Sequence, residues 1–228
     1  MYGLLFSLAA LAHKPSFGDG FTSAESAYSI DDPNISIVVY QEVTCEESEL
    51  WMEFDAEAGF EFYVQLGVPV VDWLETYVPT VAVLAPGLPE DVDVPFDLPE
   101  GMGGIVYQAD SEPQAFYEPF TQTSSWIWVE ERLVLPESGQ GYVVGWHEDN
   151  QTGKLWVATG EVEDFSDVDP TDFIYWDEAV NDFHETGEYG FVEPQESLSC
   201  NALIEQQIDR DYEMTLDCIV STGEDPVE

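Results

Sequence analysis

Residues 139–160 read GQGYVVGWHEDNQTGKLWVATG. Tyr142, Val144 and Trp146 alternate with Val143, Gly145 and His147, the period of two that marks a strand with one face on a core. The polar block 148–153 follows, and 155–159 reads as a second strand. Turn residues between two such runs predict a β-hairpin, and a six-residue link predicts a wide, solvated tip.

The alternation continues outward from that stretch. Ile35, Ile37, Val39 and Val43 share a face. Leu50, Met52 and Phe54 alternate with Trp51, Glu53 and Asp55, and Phe60, Phe62, Val64 and Leu66 with Glu61, Tyr63 and Gln65. The turn at 56–59 between these runs predicts a second hairpin. Further strands are read at 80–84, 103–108 and 126–135, the last with a bulge at Glu130-Glu131. The stretch 86–101, with four prolines and five acids, reads as a loop without packing demand. About nine short strands at this spacing predict an all-β chain, an antiparallel β-sandwich or jelly roll.

The pattern changes at Asp169-Pro170-Thr171-Asp172, where an N-capping acid precedes a proline at the first helical position. Phe173, Trp176, Val180 and Phe183 follow at helical spacing and Gly187 can end the element, so one C-terminal amphipathic helix of about four turns is expected to pack on the sandwich. The organisation read from sequence is a leader at 1–12, an extended arm at 13–34, a sandwich at 35–165, and a helix with a disulfide-containing tail at 166–228. The leader MYGLLFSLAALA is an apolar run ending in an A-x-A cleavage pattern, which predicts an extracellular or periplasmic protein. No segment reaches eighteen apolar residues, so no transmembrane span is expected in the mature chain.

Forty-eight Asp and Glu face four Lys and Arg in 228 residues, for a net charge of −44. Nearly every carboxylate lacks a basic partner, and the resulting self-repulsion eases only at high ionic strength or with bound divalent cations. A halophilic or calcium-rich setting follows as an expectation. Four scattered cations cannot form a basic patch, which excludes nucleic acid and an anionic membrane surface as partners. Hydrophobic residues at 44% and aromatics at 14% supply a core, so the acidity does not imply disorder.

Candidate chemistry is sparse. No GxSxG elbow, HExxH helix or phosphate loop occurs, and carboxylate pairs are too numerous for any to stand out as a glycosidase acid and base. Asp164, Asp167 and Asp169 lie in an acidic run that offers oxygens to calcium, although no EF-hand loop is present. Cys200 and Cys218 are close in sequence and are expected to form a disulfide worth about 3 kcal/mol, leaving Cys45 over. Trp51, Trp73, Trp126, Trp128 and Trp156 are read as core more readily than as a sugar platform. The leading expectation is non-catalytic binding of a divalent cation, a glycan or a protein partner; a self-assembling surface subunit is the structural alternative.

Two resemblances accompany this reading. From Ile35 to Gly160 the succession AEAGFEFYVQL, VAVLAPG, LPESGQGYVVGW and GKLWVATG is similar to that of the bacterial pre-peptidase C-terminal domains. That resemblance implies a small jelly roll of the kind appended to secreted enzymes, with a binding or chaperoning role. Cleavage after Ala12 would make His13 the mature N-terminus, which resembles the copper histidine-brace proteins, the lytic polysaccharide monooxygenases and small copper carriers. The implied copper ligands are His13 with either His147 or His184.

Overall fold

The computed structural model describes residues 13–18, 20–109, 112–186, 199, 200 and 202. Among these residues eleven strands form two sheets, and an α-helix lies against them. The strands are β1 (Lys14–Phe17), β2 (Tyr28–Ile30), β3 (Ile37–Val43), β4 (Glu49–Ala56), β5 (Glu61–Pro69) and β6 (Thr80–Ala85). They continue with β7 (Gly103–Tyr107), β8 (Gln114–Glu118), β9 (Thr123–Val134), β10 (Gly139–Trp146) and β11 (Gly153–Thr159), before helix α1 (Asp172–Phe183). The six-stranded sheet runs β1-β3-β11-β5-β9-β8 and the five-stranded sheet β2-β4-β10-β6-β7. Only the edge pairs β1–β3 and β2–β4 are parallel. The architecture is the antiparallel sandwich the alternation predicts.

Neither expected hairpin forms. β10 sits between β4 and β6 in one sheet, whereas β11 sits between β3 and β5 in the other. Residues 147–152 therefore cross between sheets. The 56–59 turn likewise carries β4 of the five-stranded sheet over to β5 of the six-stranded one. The physical reason is two-sided burial. Every residue of β11, and every residue of β10 from Gly141 to Trp146, is buried, so each strand needs a ladder neighbour on both edges and cover on both faces. A sequence neighbour joined by a short turn satisfies one edge; here long-range partners satisfy both.

The main core lies between the sheets, where Val143 meets Met52 and Val83 in register and Val157 meets Val39 and Leu66. Two smaller clusters sit on the outer faces. On the five-stranded sheet Trp51, Leu84, Tyr142, Val144 and Trp146 are covered by Val94, Phe96, Leu98 and Met102. Phe96 packs edge-on against both Trp51, at 4.8 Å, and Trp146, at 5.4 Å. The 86–101 stretch therefore does carry a packing demand, because an apolar outer face has to be kept from water. On the six-stranded sheet Val38, Ile127, Trp156 and Ala158 form the third cluster, with Tyr40, Phe116 and Phe183 packed against it.

Local details also depart from the sequence reading. Leu66 pairs with Val129 and Gly67 with Ile127, so the extra residue in β9 is Trp128 rather than Glu130 or Glu131. The bulge turns Trp128 and Val129 both into the main core. Asp169 accepts hydrogen bonds from the Thr171 amide and hydroxyl and shapes the turn before α1, which starts three residues later at Asp172. The helix stops at Phe183 with His184 as its C-cap and Glu185 at positive φ. The arm contributes β1 and β2, and β8 lies where no strand was expected.

The disulfide differs as well. Cys200 is bonded to Cys45, across a sequence separation of 155, and a sulfur so engaged is unavailable to Cys218. Cys218 falls outside the described residues, as does the tail beyond Phe183 except for residues 184–186, Ser199, Cys200 and Ala202. The Cys200 amide donates to the Asn150 carbonyl at 3.1 Å, so the bond ties this segment to both the β3–β4 connection and the β10–β11 crossing. Closing so long a loop is worth about 5 kcal/mol at most on the chain-entropy account.

Packing is close where β5 passes β11. A side-chain carbon at Gly67 would run into the indole of Trp156. Gly67→Ala is expected to cost about 1–3 kcal/mol of stability, read by urea denaturation. An unchanged midpoint would mean that the indole can move aside.

Candidate functional site

Helix α1 and the outer face of the six-stranded sheet do not close on each other. Between them is a cavity of about 260 Å³. Its floor is Val38 and Tyr40 of β3, Trp156 of β11 and Phe116 of β8, whose side chains point away from the sandwich core. Phe173, Trp176 and Val180, one face of α1 at helical spacing, form the roof. Phe120 and Phe165 close the sides, each with its ring centroid 5.8 Å from that of Phe173. Seven lining residues are thus Phe, Tyr or Trp.

The helix is fixed over this floor mainly at its C-terminal end. The Lys154 ammonium donates to the Phe183 carbonyl at 3.1 Å and to Glu185 Oε1 at 2.8 Å. Trp73 Nε1 donates to the same Glu185 oxygen at 3.1 Å, and Asn181 Nδ2 to the Thr121 carbonyl at 3.2 Å. A cation at a helix C-terminus also meets the negative end of the helix dipole.

The polar groups of the cavity form two sets. In the first, Trp156 Nε1–H donates to Ser125 Oγ at 3.1 Å. The Ser125 hydroxyl lies 3.0 Å from His184 Nε2, and His184 Nδ1 lies 2.8 Å from the Val180 carbonyl. A carbonyl only accepts, so Nδ1 carries the proton, Nε2 is the acceptor and Ser125 donates to it. Burial lowers the His184 pKa to about 4; the Val180 carbonyl opposes the shift and Lys154 assists it. In the second set His13 Nδ1 is hydrogen-bonded to the Ser36 hydroxyl, and burial likewise lowers its pKa to about 4 against the opposing charge of Glu163. Glu118 lines the same cavity; burial raises its pKa, the Phe120 amide hydrogen bond opposes that, and the Glu163 charge adds to it.

A Ser–His contact on a cavity wall raises the question of nucleophilic chemistry. The distance suits a nucleophile and its base. The base does not: an imidazole with a pKa near 4 has little proton affinity at neutral pH, and a backbone carbonyl rather than a carboxylate orients it. The Ser125–His184 pair is a hydrogen-bonded strut joining sheet to helix.

The residues expected from sequence scatter around this site. His13 and His184 come together on one cavity. His147 follows β10 in the other sheet, stacks on Tyr77 at 4.9 Å, accepts the Asp149 amide and lines a separate shallow pocket. Asp167 pairs with Lys14 at 2.6 Å, Asp164 accepts the Ser166 amide, and Asp169 holds the turn before α1. Among the described residues no group of three or more His, Cys, Asp or Glu side chains is placed to hold a metal ion. Trp51, Trp128 and Trp156 are buried in the core clusters, and no helix among these residues is long and apolar enough to cross a membrane. Sequence reasoning missed Tyr40, Phe116, Glu118 and Ser125, which lie on the outer face of three strands and signal nothing by spacing.

No protein-family model and no curated protein matches the chain. Solved structures do. The pre-peptidase C-terminal domain of a Bacillus anthracis collagenase is similar at 11% identity, with a TM-score of 0.32, over 57% of this chain and 91% of that one. Aeromonas hydrophila PliG, a periplasmic inhibitor of g-type lysozyme, is similar at 14% identity, with a TM-score of 0.30, over 65% of this chain and 98% of its own. The first belongs to the family that the 35–160 pattern resembles.

The His184 strut makes a pH prediction. The unfolded chain binds a proton near pH 6.5 that the folded chain refuses until about pH 4, so the strut's contribution is present above 6.5 and lost as the pH falls toward 4. Between pH 6 and 4.5, the wild type should lose stability relative to His184→Gln at a rate approaching about 1.4 kcal/mol per pH unit. Urea denaturation of both proteins across that range measures it, and a constant difference between them contradicts it.

Proposed function

We propose that this chain is a non-catalytic binding protein acting outside the cytoplasm, with the cavity beneath α1 as its ligand site. The observation that carries this is the cavity's lining: seven aromatic residues around about 260 Å³, with the polar atoms of one wall already paired among themselves. Predominantly apolar concavities with a few placed polar groups are the usual form of small-molecule sites. At about 30 Å³ per water-sized group the space holds roughly nine non-hydrogen atoms, so the ligand is smaller than a typical drug. The exported setting is supported by the apolar run at 1–12 and by the Cys45–Cys200 bond, since disulfides persist in oxidising compartments.

The test is a thermal-shift and tryptophan-fluorescence panel of small molecules of that size with neutral, cationic and anionic heads, and calcium with and without chelator. At least one organic compound should stabilise the protein saturably, and Trp176→Ala, which removes a half-exposed roof ring, should weaken it about tenfold or more. A response identical in the variant, or none with any organic compound, overturns the reading. Stabilisation by calcium alone would return the function to the divalent-cation class.

A second reading, a mononuclear copper protein, is favoured by His13 and His184 lining one cavity. It requires a free α-amine at His13 and release of the His13–Ser36 and Ser125–His184 hydrogen bonds. Mass spectrometry of secreted protein, followed by copper titration of the wild type and His184→Ala, decides it; a mature chain starting anywhere but His13 removes it.

A further inference from the structure

We infer that the ligand of the α1 cavity is a small organic cation, a substituted ammonium whose alkyl groups fit among the aromatic rings and whose charge faces Glu118. This rests on the cavity being a ligand site, and it adds the chemical class.

Three observations favour a cation over a neutral or anionic molecule. First, the walls are rings rather than aliphatic side chains. The faces of Tyr, Trp and Phe carry negative potential, and a desolvated cation held among them is attracted more strongly than a neutral group of the same shape. Alkylated ammonium suits such walls better than a metal ion or a primary amine, because it loses less hydration and needs no full set of oxygen ligands. Second, the charge on the lining is one-sided. Glu118 sits on the cavity wall, and the Glu163 charge acts on both Glu118 and His13, which places it near the same end. The histidines do not oppose this, being neutral at neutral pH. The cations of the neighbourhood are already matched: Lys154 contacts Glu185 at 2.8 Å and Lys14 contacts Asp167 at 2.6 Å. Third, a net charge of −44 raises the local concentration of cations and repels anions, so a carboxylate or phosphate ligand would approach against the field of the whole molecule.

The size agrees. Room for roughly nine non-hydrogen atoms accommodates a trimethylammonium head with a two- or three-atom tail. The tail's polar end has Thr121 and Thr123 on the wall, whose hydroxyls are 2.9 Å apart.

The experiment is isothermal titration of the full chain with choline and with its neutral isostere 3,3-dimethylbutan-1-ol. It is run in roughly 1 M sodium chloride, where the screening length of ~3 Å suppresses diffuse attraction to the acidic surface. Choline should bind at one per chain and at least about tenfold more tightly than the isostere. Glu118→Gln should remove most of that preference while leaving the weak binding of the alcohol, and Trp176→Ala should weaken choline. Circular dichroism establishes that both variants are folded. Equal affinity for choline and the alcohol would overturn the cation assignment and leave the cavity as a site for neutral molecules. Choline binding unaltered in both variants would mean attachment elsewhere on the acidic surface and would also overturn it. Binding of neither compound would remove this assignment without touching anionic ligands, which the broader panel reads separately.

Discussion

The C-terminal end of α1 is held above the sheet by one buried ammonium, together with the Asn181–Thr121 and Ser125–His184 hydrogen bonds. Lys154 is the single Lys or Arg among the described residues classed as buried, and it engages a helix-end carbonyl and a carboxylate that is itself bonded to Trp73. A buried pair of this kind is weak evidence for net stability, since desolvation offsets much of the attraction. Its effect is geometric. The contacts are directional and fix the last turn of α1, where Phe183 packs on Tyr40, while Phe173 and Trp176 nearer the start of the helix stand over the cavity.

The same scarcity of positive charge organises the periphery. The other two described cations each tie a strand to a loop: Lys14 of the edge strand β1 pairs with Asp167, and Arg132 of β9 with Glu161 just beyond β11. Both pairs are exposed at one or both partners, where solvent screens most of the attraction. In a chain so acidic, cohesion comes from apolar burial, and here that burial is in three layers: the inter-sheet core and one cluster on each outer face. Acidic side chains are left at the rims. One outer face is sealed by the Pro-rich stretch through Val94, Phe96 and Leu98; the other is roofed by α1 and stays partly open.

How much of this could be read from sequence follows from the physics of each signal. Alternation located β3 to β7 and β9 to β11, because a pleated strand at an interface imposes a period of two on its neighbours. The helix face Phe173, Trp176, Val180 was visible for the corresponding reason at a period near 3.6. Pairing was not visible. A strand buried on both faces, such as β11, has no polar side to record which sheet it joins, and short links bias the reading toward hairpins. The Cys45–Cys200 bond joins points brought together by that unseen pairing. Trp128 was read as core, where it lies, but the bulge that brings Val129 to the same side leaves no mark beyond an uninterrupted apolar run. The cavity was illegible as a unit, since Tyr40, Phe116, Ser125 and Trp156 come from four strands and become neighbours only through the sheet order.

The back-and-forth of the chain between sheets has a bearing on how the molecule is made. Ile37 finds its antiparallel ladder partner in Thr159 and Glu49 finds its own in Trp146, so the first long strands to leave a ribosome or a translocation pore have only the short edge strands β1 and β2 to pair with until most of the polypeptide has emerged. Loop-closure entropy falls almost entirely on the late steps, which makes for slow, all-or-none assembly. In the interval the exposed β-rich segments are kept apart by their own like charge, and mutual repulsion among the acids thereby serves as a safeguard against aggregation before the native state exists to need it.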